Sequence, residues 1–324
     1  MRHHLRLWIF TFLLFAYGTG WAQNPHQVPP YWAYVVNPNS EAAAGPIDNA
    51  PRHVPGSGAA FTLAQIENLF SPPDWHPAGH PAMPEIVAHG RKPDVFACGY
   101  CHLPNGEGRP ENSSLAGLSA GYIVRQLDDF KSGARKSSEP RHRPVAMMIA
   151  AETKATGQEI QSAANYFSGL TRKPWIRVVE TGTVPKTRAD GWMLVPSAAA
   201  TTEPIGQRII EVPENVERTE LRDDTSGFIA YVPEGSLAKG RALVNTGGNG
   251  KTVACAKCHG PGLRGSGNVP PIAGRSPSYM VRQLFDMQSG ARAGALSREM
   301  LDPVRKLTLD DMIAISGYVA SLRP

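Results

Sequence analysis

Cysteine is scarce in this chain: there are four in 324 residues, all within two short clusters. A framework of dispersed disulfides, the usual staple of small exported folds, has no material here. Charge of one sign is lacking too. Lys and Arg number 33 against 28 Asp and Glu, a formal net charge of +5, and the basic residues are scattered. A nucleic-acid partner is therefore not expected. Glycine shows no three-residue period, which excludes collagen, and 41% hydrophobic with 19% charged residues excludes an acidic disordered chain or a coiled coil. What is plentiful is Gly (32) and Pro (29), so irregular stretches should separate about two compact units at this length.

Long apolar runs are missing as well. The longest candidate, residues 7–17, has 11 residues, short of the ~20 that a spanning helix needs. It follows Arg2 and Arg6 and precedes Gly20-Trp21-Ala22, which together describe a secretory signal over residues 1–22. Cleavage after Ala22 removes two arginines and leaves a mature charge of +3. A periplasmic location is expected, with membrane association only through a partner or an uncleaved N-terminal segment.

The cysteines occur as Cys98-Gly-Tyr-Cys101-His102 and Cys255-Ala-Lys-Cys258-His259. Cys-x-x-Cys-His is the attachment signature of c-type haem. Each thiol adds to a porphyrin vinyl group, and the adjacent imidazole is placed to bind the iron. A thioredoxin-like dithiol needs no such His, and a zinc site needs further ligands nearby. Two such motifs, using every cysteine, predict two covalently attached haem c groups.

An internal repeat supports this independently. Residues 122–135 read YIVRQLDDFKSGAR and residues 279–292 read YMVRQLFDMQSGAR, identical at 10 of 14 positions. Their offset of 157 is also that from Cys98 to Cys255. Further on, Lys154, Thr156, Tyr166 and Leu170 match Lys306, Thr308, Tyr318 and Leu322 at an offset of 152. Residues 137–144 thus form a longer loop in the first copy. Ile123, Leu127 and Phe130, like Met280, Leu284 and Met287, make the apolar stripe of an amphipathic helix, which Gly133 or Gly290 should end. Thr156 and Thr308 are expected to cap a closing helix, and helices are expected over residues 84–91 and 237–244.

The sixth iron ligand separates electron transfer from chemistry at an open iron. Met147 and Met148 are the candidates in the first copy. The 152 offset carries Met148 to Met300 but Met147 to Glu299, so Met148 and Met300 are the expected ligands beside His102 and His259. Met280, Met287 and Met312 sit on helical stripes and are assigned to the core.

Twin Cys-x-x-Cys-His modules, a Y-x-V-R-Q-L helix ending S-G-A-R and a Met before a closing helix resemble the dihaem class I cytochromes c of the c4 type. The resemblance covers residues 85–170 and 237–322. It implies a mainly α fold of two tandem cytochrome c domains, here with an irregular, partly β connecting segment. The expected divisions are a signal peptide (1–22), an extended N-terminal segment (23–60), a first cytochrome c domain (61–170), a connecting segment (171–232) and a second cytochrome c domain (233–324). It also implies a periplasmic carrier with two His/Met haems, with Tyr122, Arg125, Tyr279 and Arg282 near haem edges or the domain interface. The implied partners are redox proteins: a donor dehydrogenase and a respiratory oxidase or reductase. The alternative is a dihaem oxidoreductase, peroxidase or thiosulfate dehydrogenase-like, with catalysis at one haem. No spare cysteine is available for an unusual ligand, which favours the non-catalytic reading.

Length departs from the resemblance. Residues 171–232 are too long for a structureless linker. Residues 175–184 and 207–213 read as strands, and prolines at 174, 185, 196, 204 and 213 oppose helices. In the N-terminal tail, only Tyr31-Trp32-Ala33-Tyr34 offers apolar bulk to pack on a domain. His76-x-x-x-His80 has the spacing of a helical metal pair, but Pro73, Pro77 and Pro81 deny it a regular helix, so a packing role is expected. Residues 245–250 read as an exposed turn rather than a phosphate loop. No convincing nucleophile–base pair is visible.

Overall fold

A computed structural model describes residues 28–37 and 48–324. The expected signal segment lies outside the described residues. No helix among them is long and apolar enough to cross a membrane.

Helices dominate and fall into two sets. The first comprises Glu85–Ala88, Cys98–His102, Ala120–Lys131, Pro144–Lys154 and Gly157–Ser168. The second comprises Ser236–Thr246, Ala256–His259, Pro277–Ser289, Leu301–Val304 and Leu309–Ser321. The repeat recurs in local detail. Ser119 caps the first long helix by accepting from Tyr122 N, and Ser276 does the same for Tyr279 N. Both closing helices begin in a capping box, Thr156 with Glu159 and Thr308 with Asp311. Gly133 (φ +72°) and Gly290 (φ +80°) take the left-handed conformation that ends the long helices, where a Cβ would be strained.

Each set encloses its own apolar core. Ile86, Val87, Leu118, Ile123, Ala164 and Phe167 form one. Val281, Leu284, Phe285, Met312, Ile313 and Val319 form the larger one. Met280, Met287 and Met312 are buried there, as their stripe positions predict.

Between the sets runs a three-stranded sheet, with Phe228–Val232 at its centre. Ile176–Glu180 pairs with it in parallel (Ile176 opposite Phe228), and Ile210–Pro213 antiparallel (Ile210 opposite Tyr231). Val178 and Val232 turn towards the second core, so this segment packs on the second set. The apolar stretch 175–184 is broken into Ile176–Glu180 and Thr183–Pro185, which pairs with Thr202–Pro204. A hairpin, Thr187–Asp190 with Met193–Pro196, has little apolar alternation and was not foreseen. Nor was the helix Pro144–Lys154, which begins where the sequence predicts only loop; Pro144 occupies its first turn, where a missing N–H costs nothing.

The N-terminal segment does pack. Trp32, Ala33 and Tyr34 are buried in the second core. The Tyr34 hydroxyl donates to Asp286 Oδ1 (2.7 Å), while His142 bonds the Val35 carbonyl through Nδ1 (2.8 Å). One short strand of chain thus joins the second core to the inserted loop of the first copy.

Candidate haem sites

The first motif is itself a turn of helix, Cys98–His102, with His102 buried at its end. His102 Nδ1 lies 2.8 Å from the Ser113 carbonyl. A carbonyl only accepts, so Nδ1 carries the hydrogen and Nε2 keeps its lone pair. Burial lowers the imidazole pKa to about 4, so the ring stays neutral and able to ligate. Asn112 Nδ2 donates to the Cys101 carbonyl (3.0 Å), and Phe167 stands edge-on to His102 at 6.1 Å.

Both thiols and His102 open on a cavity of about 410 Å³. Its walls are largely apolar, among them Ile86, Val95, Leu118, Ile123 and Ala163. Met147 and Met148 both line it, from the helix Pro144–Lys154. Burial pushes the Cys98 thiol up to about 12 and raises Cys101. A redox-active dithiol needs a lowered pKa, so these cysteines are unsuited to disulfide exchange.

The second motif repeats the arrangement. His259 is buried, and its Nδ1 meets the Pro270 carbonyl at 2.8 Å, across the same sequence separation of 11 residues as in the first copy. Burial lowers its pKa as well. Cys255, pushed up to about 11 by burial, packs beside the second core together with Met300, whereas Cys258 is exposed. Thr252 Oγ1 donates to the Pro303 carbonyl (2.7 Å), tying the motif's approach to the segment that carries Met300.

Where the copies meet, the S-G-A-R ends cross. Lys136 N donates to the Ala291 carbonyl and Ala293 N to the Ala134 carbonyl, both at 2.7 Å. Arg135 reaches Tyr279 Oη of the other copy (3.0 Å), and Arg292 reaches Tyr122 Oη (2.9 Å). Gln126 Oε1 accepts from both guanidiniums, at 2.9 and 2.7 Å, and so does Gln283 Oε1, at 3.1 and 3.0 Å. Neither arginine has a carboxylate within ion-pair distance among the described residues.

The sequence model of the family described as Cytochrome c matches residues 90–171. Cytochrome c4 of Stutzerimonas stutzeri is 35% identical over 236 residues, 70% of this chain and 85% of that protein. Cytochrome c4 of Azotobacter vinelandii is 30% identical over 232 residues, 69% of this chain and 84% of that protein. The chain belongs to the cytochrome c4 family. The thiosulfate dehydrogenase electron acceptor of Stutzerimonas stutzeri (strain A1501) is also similar, 27% identical over 236 residues, covering 72% of this chain and 82% of that protein.

Membership of the cytochrome c4 family implies covalently bound haem c, and the first cavity fits one. Its apolar walls suit a macrocycle, its thiols suit the vinyl carbons, and its free imidazole Nε2 suits the iron. Among the described residues, His142 Nε2 and Glu152 Oε1, both of residues lining the cavity, are buried without hydrogen-bond partners. Such orphaned atoms are costly unless a bound group meets them. Tyr122, Tyr279 and Arg282 line this cavity, while Arg125 is not among its lining residues. Sequence reasoning missed His142 and Glu152. His142 falls in the inserted loop, which has no second copy to align with, and its partner Val35 lies far away in sequence.

Proposed function

We propose that this chain is a periplasmic dihaem cytochrome that passes single electrons from a donor dehydrogenase or respiratory complex to a downstream acceptor. His102 with Met148 and His259 with Met300 are the residues that would hold the two irons, and the four cysteines would attach the haems. Bound haem supplies a one-electron iron couple at each site. The chain's own residues hold the imidazoles neutral and oriented, keep water from the buried His faces and fix the copies against one another.

The observation that carries the reading is the duplicate hydrogen bond, His102 to Ser113 and His259 to Pro270, at equal separation and equal length. The same imidazole setting at both motifs suits two similar carriers rather than one catalytic and one relay centre. A relative named as an electron acceptor of thiosulfate dehydrogenase supports a dehydrogenase of that class as donor.

The test uses the purified protein carrying its haems. Rapid reduction by a partner dehydrogenase is expected, with no enzyme-like oxidation of thiosulfate by an artificial acceptor and no rapid peroxide turnover. Met148→Leu should abolish the thioether–iron absorption of one haem and leave the other, and Met147→Leu should abolish neither. Substrate turnover by the isolated protein overturns the carrier reading.

A further inference from the structure

Five side chains able to hold a cation gather where the stretch around the turn Pro77–Gly79 meets the loop after Val216–Glu220. Two pair directly, His80 Nε2 with Asp74 Oδ1 at 3.1 Å. The other three converge: His76 Nε2 lies 3.2 Å from Asp223 Oδ1 and 3.8 Å from Asp224 Oδ1, and one ligand atom from each lies within 4.8 Å of the others.

The two carboxylates are not alike. Asp223 is anchored: Arg218 Nε donates to Oδ2 (2.7 Å), and Thr225 donates to Oδ1 through N (2.9 Å) and Oγ1 (2.7 Å). The Asp224 side chain is only 5% exposed, and its Oδ1 is buried with no hydrogen bond from any of the described residues. Within ion-pair distance of Asp74, Asp223 and Asp224, the described residues place one permanent cation, Arg218. Burial, with Asp223 and Asp74 close by, raises the pKa of Asp224; the histidines only partly offset this. A carboxylate oxygen out of water and without a hydrogen bond is among the more expensive features a fold can carry. The cluster is short of positive charge and has an oxygen waiting for it.

One imidazole nitrogen with two carboxylate oxygens is the donor set of a borderline transition cation; calcium and magnesium favour oxygen alone. We propose that His76 Nε2, Asp223 Oδ1 and Asp224 Oδ1 form a site for a divalent cation of the zinc class, with Arg218 holding Asp223 from behind through Oδ2 and Thr225 fixing the position of Oδ1. The site goes beyond electron transfer and does not depend on it. Its position gives it a role. Between the two aspartates and the first haem motif stands Arg222, whose guanidinium lies 3.6 Å over the Tyr100 ring and donates to the Tyr100 carbonyl (2.8 Å). Trp75 Nε1 donates to the Leu221 carbonyl (2.7 Å), and Asn105 Nδ2 to the Asp224 carbonyl. A cation bound here clamps the connecting segment onto the first Cys-x-x-Cys-His turn.

The experiment uses the full chain with its haems in place, stripped with a chelator and dialysed against Zn²⁺. One Zn²⁺ per chain is expected at this site, with a rise in the thermal midpoint. Asp224→Asn and His76→Gln should each weaken binding at least about tenfold, since even outer-shell partners of a metal cost 10–100-fold. Both should keep the parent haem spectrum, which shows that the fold survives, and both should lose the Zn²⁺-dependent midpoint shift. Absence of Zn²⁺ binding overturns the proposal, and so does binding that neither substitution weakens.

Discussion

At His102 and His259 a single backbone acceptor decides what the ring can do, because fixing the hydrogen on Nδ1 frees Nε2. His142 obeys the same rule with a different outcome. Its Nδ1 is held by the Val35 carbonyl, its Nε2 faces the first cavity, and burial, reinforced by Arg282, lowers its pKa to about 3. The Val35 hydrogen bond and, after it, Glu139 oppose that shift without cancelling it. The unfolded chain binds a proton here near pH 6.5; the folded chain refuses it until about pH 3. The folded state thus has its full stability above pH 6.5 and loses it as pH falls through that window. The loss from this residue should be on the order of 3 kcal/mol between pH 7 and pH 4. Urea midpoints at the two pH values measure it. His142→Gln, which cannot titrate, should flatten the acid limb relative to the parent; equal slopes would show that His142 is protonated in the folded state.

Among the elements, the helix pair Ser236–Thr246 and Leu309–Ser321 shows packing overruling propensity. Gly240 lies in the middle of the first, where Ala would ordinarily favour a helix by about 1 kcal/mol. A Cβ at that position would stand 2.0 Å from the Ala314 carbonyl oxygen and 2.6 Å from Tyr318 Cβ. Backbone cannot yield as a side-chain tip can, so the helices must separate. Gly240→Ala should destabilise the protein by about 1–3 kcal/mol, the range for overpacking a tight core, and a calorimetric scan at constant haem content checks it. A gain in stability would mean that the crossing is looser than the geometry has it. The crossing was not legible in the sequence, because a lone Gly in a helical pattern does not say what approaches it. The long helices were legible, since Ile123, Phe130, Met280 and Leu284 report their buried faces by spacing alone. The paired Thr caps were legible because the repeat shows them twice. The helix carrying Met148 was not: the run Ala146 to Ala151 is apolar all round and has no period to read. The parallel pairing of Ile176–Glu180 with Phe228–Val232 was beyond reach for another reason, as nothing local brings two strands about fifty residues apart into register.

Across the whole molecule, the two copies are held by groups they exchange. Each S-G-A-R arginine crosses to the other copy's tyrosine, the glutamine acceptors are shared, and two main-chain bonds run between the crossing ends. A hydrogen bond from a charged donor contributes about 1.5–3 kcal/mol when buried, and Arg135 and Arg292 are both buried. Because Gln126 and Gln283 each serve both arginines, removing one guanidinium leaves the other's geometry intact, while removing both leaves buried acceptors with nothing to accept from. The contributions should therefore be coupled rather than additive. Further links run through the N-terminal segment, from Tyr34 to Asp286 on one side and from His142 to Val35 on the other. With both sets of links in place, the haem-loaded protein should unfold in one calorimetric transition. Arg135→Ala with Arg292→Ala should separate it into two, the first core melting below the larger second one, while either single substitution should lower the midpoint without splitting the peak. Two transitions in the unsubstituted protein would show that the exchanged contacts do not couple the copies, and an unsplit peak in the double variant would give the coupling to the N-terminal segment instead.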